Sequence, residues 1–534
     1  MITIDTDDLT LDDFMNVIIH HHKVQLGPNA INKIEAARKV VDTMSMNDAA
    51  VYGINTGFGS LSTIKMNSND CIQLQYNLIR SCAVGVGEAC PPWVARGMFL
   101  LRLKCITNGN SGIRLCIAEK IVEALNKNYI PYIPCQGSVG ASGDLCPLSH
   151  LFLGLLGEGK ALNNTNNTTN NNNNTNNNTT NNNTYTTNST NYISAKDVMN
   201  TLDITPITLD TKEGLGLTNG TQYITTWTAY STYHALRIMN LSSIIAATSI
   251  EALHGIPNAF DPRIHAVKPH TGQIEVAKQI RSILQNKNNN DENININENN
   301  NINNCVKVQD AYSLRCIPQV HGAVYDLIKF VEKHVLVEMN CSNDNPLILG
   351  SNVVSGGNFH GMYIGMAADQ LAYAFSILCN ISERRVERMV NADLNKLFPP
   401  FLTPNPGLHS GFMLIQYTSA AITAENRQLA NPGSVDNINT CAGFEDIVSM
   451  AAWPVRKAYQ SMENTYKVLA LELFTANQAL HFSKLNTNIT TNHIINHLRS
   501  TIPFITSDVY MGDYIEQVIS FVKSPKIFEF SNLD

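Results

Sequence analysis

Residues 362–390 read MYIGMAADQLAYAFSILCNISERRVERMV, and up to the charged ending SERRVERMV apolar side chains fall on nearly every side of a 3.6-residue period. A helix with no wet face has to be enclosed by other helices, so this stretch belongs at the centre of a bundle. Its neighbours in sequence support that placement. After Pro318 the residues Val320, Val324, Leu327, Val331 and Val335 recur at three- to four-residue steps, the spacing of one helix face. Further long helices are expected from about 219 to 254, from 410 to 430, and from 445 to 481 with a bend at Pro454. Shorter helical patterns and glycine-rich turns such as YGINTGFGS (52–60) fill the first third. The pattern predicts a mainly α fold: a long central helix bundle over 201–481, a loop-rich N-terminal region over 1–200, and a C-terminal helical segment over 482–534.

The chain has 534 residues, of which 44% are hydrophobic and only 15% charged. So much apolar surface must be buried within the fold or between copies of it. The net charge of −7 and the lack of a basic, aromatic-interleaved stripe argue against a nucleic-acid partner. The start, MITIDTDDLTLDDF, is acidic and lacks the basic and apolar regions of a secretory signal. No uninterrupted apolar run is long enough to span a bilayer, so no membrane association is expected. The twelve cysteines include no C-x-x-C pair, which fits reduced thiols in a cytoplasmic protein.

Two low-complexity tracts interrupt the pattern, Asn/Thr-rich over 163–191 and Asn-rich over 286–304. Neither composition can bury enough apolar area to offset its ordering entropy, and both are expected to be disordered surface insertions. Loop closure cost grows only with the logarithm of length, so such insertions need not mark domain boundaries.

In a different part of the chain, GSVGASGDLCPLSH (137–150) concentrates small side chains just ahead of an acid and a proline. It contains no G-K-[ST], no G-x-G-x-x-G in register and no G-x-S-x-G, which removes phosphate-loop, dinucleotide and serine-hydrolase readings. GLGLTNG (214–220) also misses the dinucleotide spacing, and the triplet His20, His21, His22 lacks metal-ligand spacing. No metal is expected. The chemistry left for Ala141-Ser142-Gly143 lies in the backbone. An unhindered glycine nitrogen can attack the carbonyl two residues earlier, serine can lose water, and the product is an electrophilic five-membered ring. Taken alone, the triplet is more readily a plain small-residue turn, by about ten to one.

The wider set of motifs resembles the aromatic amino acid ammonia-lyases and aminomutases, most closely the histidine-specific members. It comprises GSVGASGDLCPLSH, YGINTGFGSL, LTNGTQ, QDAYSLRCIPQVHG, NDNPLI and SGGNFHG, and it runs from about Val51 into the C-terminal helices. The resemblance implies that Ala141, Ser142 and Gly143 cyclise into 4-methylidene-imidazol-5-one, with no dissociable cofactor. It implies elimination of ammonia from L-histidine to give urocanate. It also implies an all-α homotetramer whose active sites draw on three chains.

Carried over motif by motif, the same resemblance assigns roles to individual residues. Tyr52 is the base that takes the β-proton, and Arg315 is the fork that holds the substrate carboxylate. Asn219, Gln309 and Tyr312 are polar groups around the electrophile and the amine, and Phe359 packs on the substrate ring. Glu445 accepts a hydrogen bond from imidazole, and Asp144 shapes the cyclising turn. Cys82, in RSCAVGVGE, stands where the histidine-specific members carry a histidine, and Phe444 and Ile447 make the surroundings of Glu445 more apolar. These departures keep open a phenylalanine or tyrosine ammonia-lyase or an aminomutase. A reading of another class is an inactive helical scaffold, against which an intact triplet together with Tyr52 and Arg315 argues.

Overall fold

The computed structural model of the chain describes residues 1–45, 53–54, 56, 68–163, 191–285, 308–483 and 487–531. Long helices dominate, as the periodicity predicts: Gln222–Ala252, Ile317–Asn340, Met362–Val390, Met413–Leu429 and Ala452–Ser483. Strand occurs only as short pairs among the described residues. The helix expected from 445 starts instead at Ala452, so Pro454 lies in its first turn. A missing amide there breaks no intrahelical bond.

Met362–Val390 is the one helix among the described residues long and apolar enough to cross a membrane by length and composition. Its apolar run is interrupted by Asp369, Gln370 and Asn380. Some 72% of its most apolar window is buried inside the fold, the condition of a core helix rather than of one waiting for lipid.

Contacts divide the chain into two compact units. The first comprises Met1–Tyr233, Glu332–Asp369 and Pro432–Arg456, and the second comprises His234–Val331, Gln370–Asn431 and Lys457–Asp534. The units interleave along the sequence, whereas the composition reading divides it into consecutive stretches. Four of the long helices supply residues to both.

At the centre of the first unit lies the helix Pro92–Thr107, every residue of which is buried. It packs on the helices Leu11–Ile18, Pro28–Ser45 and Leu115–Asn126. The helix Ser68–Cys82 packs on Leu145–Leu155 and on the short helix Glu213–Thr218, which also touch one another. This trio carries the start of the Leu145–Leu155 helix, where the ASG triplet sits.

In the second unit a buried ion pair ties long helices together. Arg385 binds Glu472 through Nε at 2.5 Å and Nη2 at 2.8 Å, with both side chains fully buried. The hydroxyls of Ser249 and Ser382 donate to the same carboxylate at 2.7 and 2.6 Å. A charge pair so enclosed is tolerable only because its remaining lone pairs are met.

Candidate active site

The triplet is held by backbone geometry before any side chain acts. Gly140 and Gly143 both have φ of +70°, a region that costs most other residues strain. A Cβ on Gly143 would lie 2.3 Å from the carbonyl oxygen of Gly220 and 3.0 Å from that of Phe359. Only glycine can therefore occupy the third position. The Asp144 amide donates to Gly220 O at 2.7 Å, and the Met450 amide donates to Val139 O at 2.9 Å. Ser449 Oγ donates to Gly140 O at 3.2 Å. The turn is thus fixed from the 219–220 side and from the 449–450 side.

Two side chains address Ser142 directly. Asn219 Nδ2 donates to the Ser142 carbonyl oxygen at 3.0 Å, and the Ser142 hydroxyl donates to Glu445 Oε1. Asn219 is only 4% exposed and caps the C-terminal end of the Glu213–Thr218 helix. Its side chain turns to the triplet rather than starting the helix that follows. Glu445 is fixed at its other oxygen by Thr440 Oγ1 at 2.8 Å. The backbones of Thr440 and Glu445 also pair across a tight loop in which Cys441, Ala442 and Gly443 all have positive φ. Such a loop stores strain to aim one carboxylate.

Asp144 is fully buried. Burial pushes its carboxyl up to about 7, against the lowering pull of the Ile224 and Tyr223 amides and of the Arg102 charge. Cys82 ends the Ser68–Cys82 helix. Burial raises its thiol above the ordinary range, and the Glu445 charge adds to that rise, so the two groups share one field. Phe359 is half-buried, with its carbonyl against Gly143.

The residues present fit a ring built from the triplet. The third position admits only glycine, the serine carbonyl has a donor, and the serine hydroxyl has a carboxylate acceptor. The aromatic amino acid lyase profile matches residues 9–500. A histidine ammonia-lyase of Geobacillus sp. (strain WCH70) is 40% identical over 98% of this chain and 96% of its own length.

The chain belongs to the aromatic amino acid lyase family.

Solved members of the family superpose closely. The crystal structure of histidine ammonia-lyase from Trypanosoma cruzi gives a TM-score of 0.86 at 37% identity, covering 99% of this chain and 95% of that one. Tyrosine aminomutase from Streptomyces globisporus gives 0.88 at 29% identity, covering 99% and 98%. These likenesses establish the mainly α lyase fold expected from the periodicity.

The first unit brings together Ala141, Ser142, Gly143, Asn219, Phe359, Glu445 and Cys82. Gln309, Tyr312 and Arg315 fall in the second unit, where Arg315 and Tyr312 lie together. Arg315 Nε donates to Asp310 O at 2.9 Å, and its guanidinium lies 4.6 Å from the centre of the Tyr312 ring. Tyr312 is 70% exposed and Gln309 is exposed as well. Tyr52 lies outside the described residues.

Sequence reasoning passes over Thr440 and Arg102. A hydroxyl five residues before a carboxylate gives no signal. Arg102 does give one, because the helix WVARGMFLLRLKCIT (93–107) sets Arg96, Arg102 and Lys104 in apolar surroundings. A cation there needs a buried partner.

Proposed function

We propose that this enzyme eliminates ammonia from L-histidine to give trans-urocanate, the opening step of histidine degradation. The observation that carries the reading is Glu445, held between Thr440 and the Ser142 hydroxyl. It is an acceptor for an imidazole N–H beside the triplet, a place where an apolar substrate ring would leave a carboxylate unpaired. The relatives named histidine ammonia-lyase support the same substrate.

The β-proton of histidine is barely acidic and ammonia is a poor leaving group, so the reaction needs an electrophile that no ordinary side chain offers. We infer that Ala141, Ser142 and Gly143 become 4-methylidene-imidazol-5-one. The Gly143 nitrogen closes on the Ala141 carbonyl with loss of one water, and Ser142 loses a second. The group supplies electrophilic activation of the substrate. The other residues bind, orient and move protons. Asn219 holds the Ser142 carbonyl, and Glu445 takes the imidazole N–H and so fixes the ring. Phe359 packs on that ring, with Cys82 along its edge. Arg315 clamps the carboxylate, and Gln309 and Tyr312 border the amine. Tyr52, as phenolate, takes the β-proton.

Tyr312, Phe330, Tyr373, Leu414 and Tyr417 of the second unit are exposed at 50% or more in the single chain. Apolar surface of this kind suits burial against further copies. The enzyme is proposed to be a cytoplasmic homotetramer in which Gln309, Tyr312 and Arg315 complete the sites of neighbouring copies.

A second reading, a phenylalanine or tyrosine lyase or aminomutase, draws on Cys82 and on the exposure of Phe444 and Ile447 at 63% and 59% beside Glu445. An amino acid panel scored for ammonia and for unsaturated or β-amino acid separates the two. Histidine as preferred substrate, with a peptide spanning Ser142 lighter by two waters, supports the first. Preference for phenylalanine or tyrosine overturns it.

A further inference from the structure

Beneath the triplet, three groups are stacked with no spare volume. A Cβ on Gly143 would lie 2.3 Å from Gly220 O, and a Cβ on Gly220 would lie 2.4 Å from Arg102 Nη2. Gly220 itself has φ of +147°, so both the space and the backbone exclude a side chain. The guanidinium of Arg102 therefore forms the floor on which Gly220 rests, and Gly220 forms the floor on which Gly143 rests.

Arg102 is fully buried. Its Nη1 donates to Gly216 O at 3.1 Å, and its Nη2 donates to Asn219 O at 2.7 Å and to Gln222 Oε1. Gln222 Nε2 passes the connection to Asn343 Oδ1 at 2.7 Å. Asn343 Nδ2 donates to Thr221 Oγ1 at 2.6 Å, and the Thr221 hydroxyl donates to Glu338 Oε1 at 2.5 Å. Asn219, Thr221 and Gln222 are thereby fixed by Arg102 itself or by the chain of bonds it starts, with Gly220 enclosed between them. No carboxylate is among the hydrogen-bond partners of Arg102 in the described residues. Its acceptors are three neutral oxygens and the Cys105 sulfur, and its charge is felt by the Asp144 carboxyl beside the triplet.

We propose that Arg102 is a positioning residue for the elimination. It locks the Asn219–Gly220 backbone so that the Asn219 amide stays on the Ser142 carbonyl, and its positive charge favours electron density arriving there. The proposal rests on the reading of Ala141-Ser142-Gly143 as the reacting centre. A donor aimed at a site of developing charge is effective only if it is already in place, and the Arg102 fork is a geometry that a lysine cannot reproduce.

The experiment compares wild type, Arg102→Lys, Asn219→Ala and the double variant on histidine. Turnover is counted per chain that has lost two waters by intact mass. Expected for Arg102→Lys is a fall in kcat of about ten- to hundredfold, below the effect of deleting a direct donor, with KM within about threefold. The double variant should be no slower than Asn219→Ala alone, because both changes remove one device. If Arg102→Lys does not fold, Gln222→Met removes one acceptor of the fork and should give the same split between kcat and KM at smaller size. An unchanged kcat per modified chain, a change in KM alone, or losses that multiply in the double variant would each overturn the proposal. Wild type that neither loses two waters nor turns over histidine overturns the site reading and this proposal with it. Active wild type beside an unimpaired Arg102→Lys overturns the proposal alone.

Discussion

The hydroxyl of Ser142 donates to Glu445 Oε1 while the hydroxyl of Thr440 donates to Oε2 at 2.8 Å, so both oxygens of one carboxylate are engaged, one from 303 residues away in sequence and one from its own loop. If Ser142 gives up its hydroxyl as water, Oε1 loses its donor. That oxygen is then open to a new donor, and an imidazole N–H supplies it. Formation of the electrophile and creation of the ring-binding acceptor are then two results of a single dehydration.

Glu445→Gln keeps the shape of that side chain and removes its charge. A hydrogen bond to a charged group contributes about 1.5–3 kcal/mol. Histidine kcat/KM should therefore fall by roughly ten- to a hundredfold. Cys82→Ala should cost far less, since a thiol is a weak partner. Cys82→His should leave histidine preferred. Steady-state kinetics of the three variants on histidine, phenylalanine and tyrosine check this. Phenylalanine turnover that improves in Glu445→Gln would reverse the substrate assignment while leaving the reaction class intact.

Gly143→Ala adds one carbon where the Gly220 carbonyl already stands, at a φ of +70°. Neither contact has a flexible side chain that can give way, because both opposing atoms are backbone. The chain should lose stability by at least about 1–3 kcal/mol, the order of a strained backbone position, and should keep the mass of an uncyclised triplet. Thermal denaturation and intact mass report the two effects separately. A variant with wild-type midpoint and full loss of two waters would show that the stack on Gly220 is looser than described.

The helices were legible because burial all round leaves a periodic trace, and the 362–390 pattern ends where the helix ends. The start of the last long helix was not, because GFEDIVS (443–449) is as apolar as a helix end while its backbone is spent on aiming Glu445. Ala141, Ser142, Asn219 and Glu445 could be named only through several motifs together, since each alone is an ordinary turn, cap or surface residue. Arg102 and Thr440 act on other residues rather than on a substrate. The role of Arg102 exists only in three dimensions, as contacts with a segment more than a hundred residues away, and that of Thr440 depends on a positive-φ loop that no sequence pattern announces.

The Asn/Thr tract opens from a closed neck. Lys160–Leu162 pairs antiparallel with Tyr192–Ser194, Leu162 opposite Tyr192, and the Asn163 amide donates to Asn191 O at 2.9 Å. Asn163 and Asn191 are thus held side by side, and a hairpin turn of about 2–5 residues can close the same neck. Replacing 164–190 by such a turn should leave turnover and oligomeric state unchanged and shift the thermal midpoint little, because loop closure changes only logarithmically with length. Sedimentation and steady-state kinetics check this. Loss of assembly would assign the tract a structural task.

Asp144 gives the stability of the chain a pH dependence of unusual sign. Its carboxyl is pushed up to about 7 by burial from a reference of 3.8, so the folded chain holds this proton more tightly than the unfolded chain does. Between those two values the folded state binds the extra proton, and stability must fall as pH rises, by up to about 1.4 kcal/mol per unit. The loss ends once the folded carboxyl has also ionised. Asp144→Asn keeps an oxygen to accept the Ile224 amide, now at 3.0 Å, and removes the titration. Buried histidines work in the opposite direction: burial lowers His234 to about 3 and His150 to about 4, so their contribution is present above the unfolded value of 6.5 and fades as pH falls. Those groups are common to both proteins and cancel in the difference. Unfolding free energies of wild type minus Asp144→Asn, measured by denaturant at several values from about pH 4 to about pH 8, should therefore decline toward neutrality and then level off. A flat difference across that range would mean that Asp144 is ionised throughout, held by the Ile224 and Tyr223 amides and the Arg102 charge against the cost of its burial.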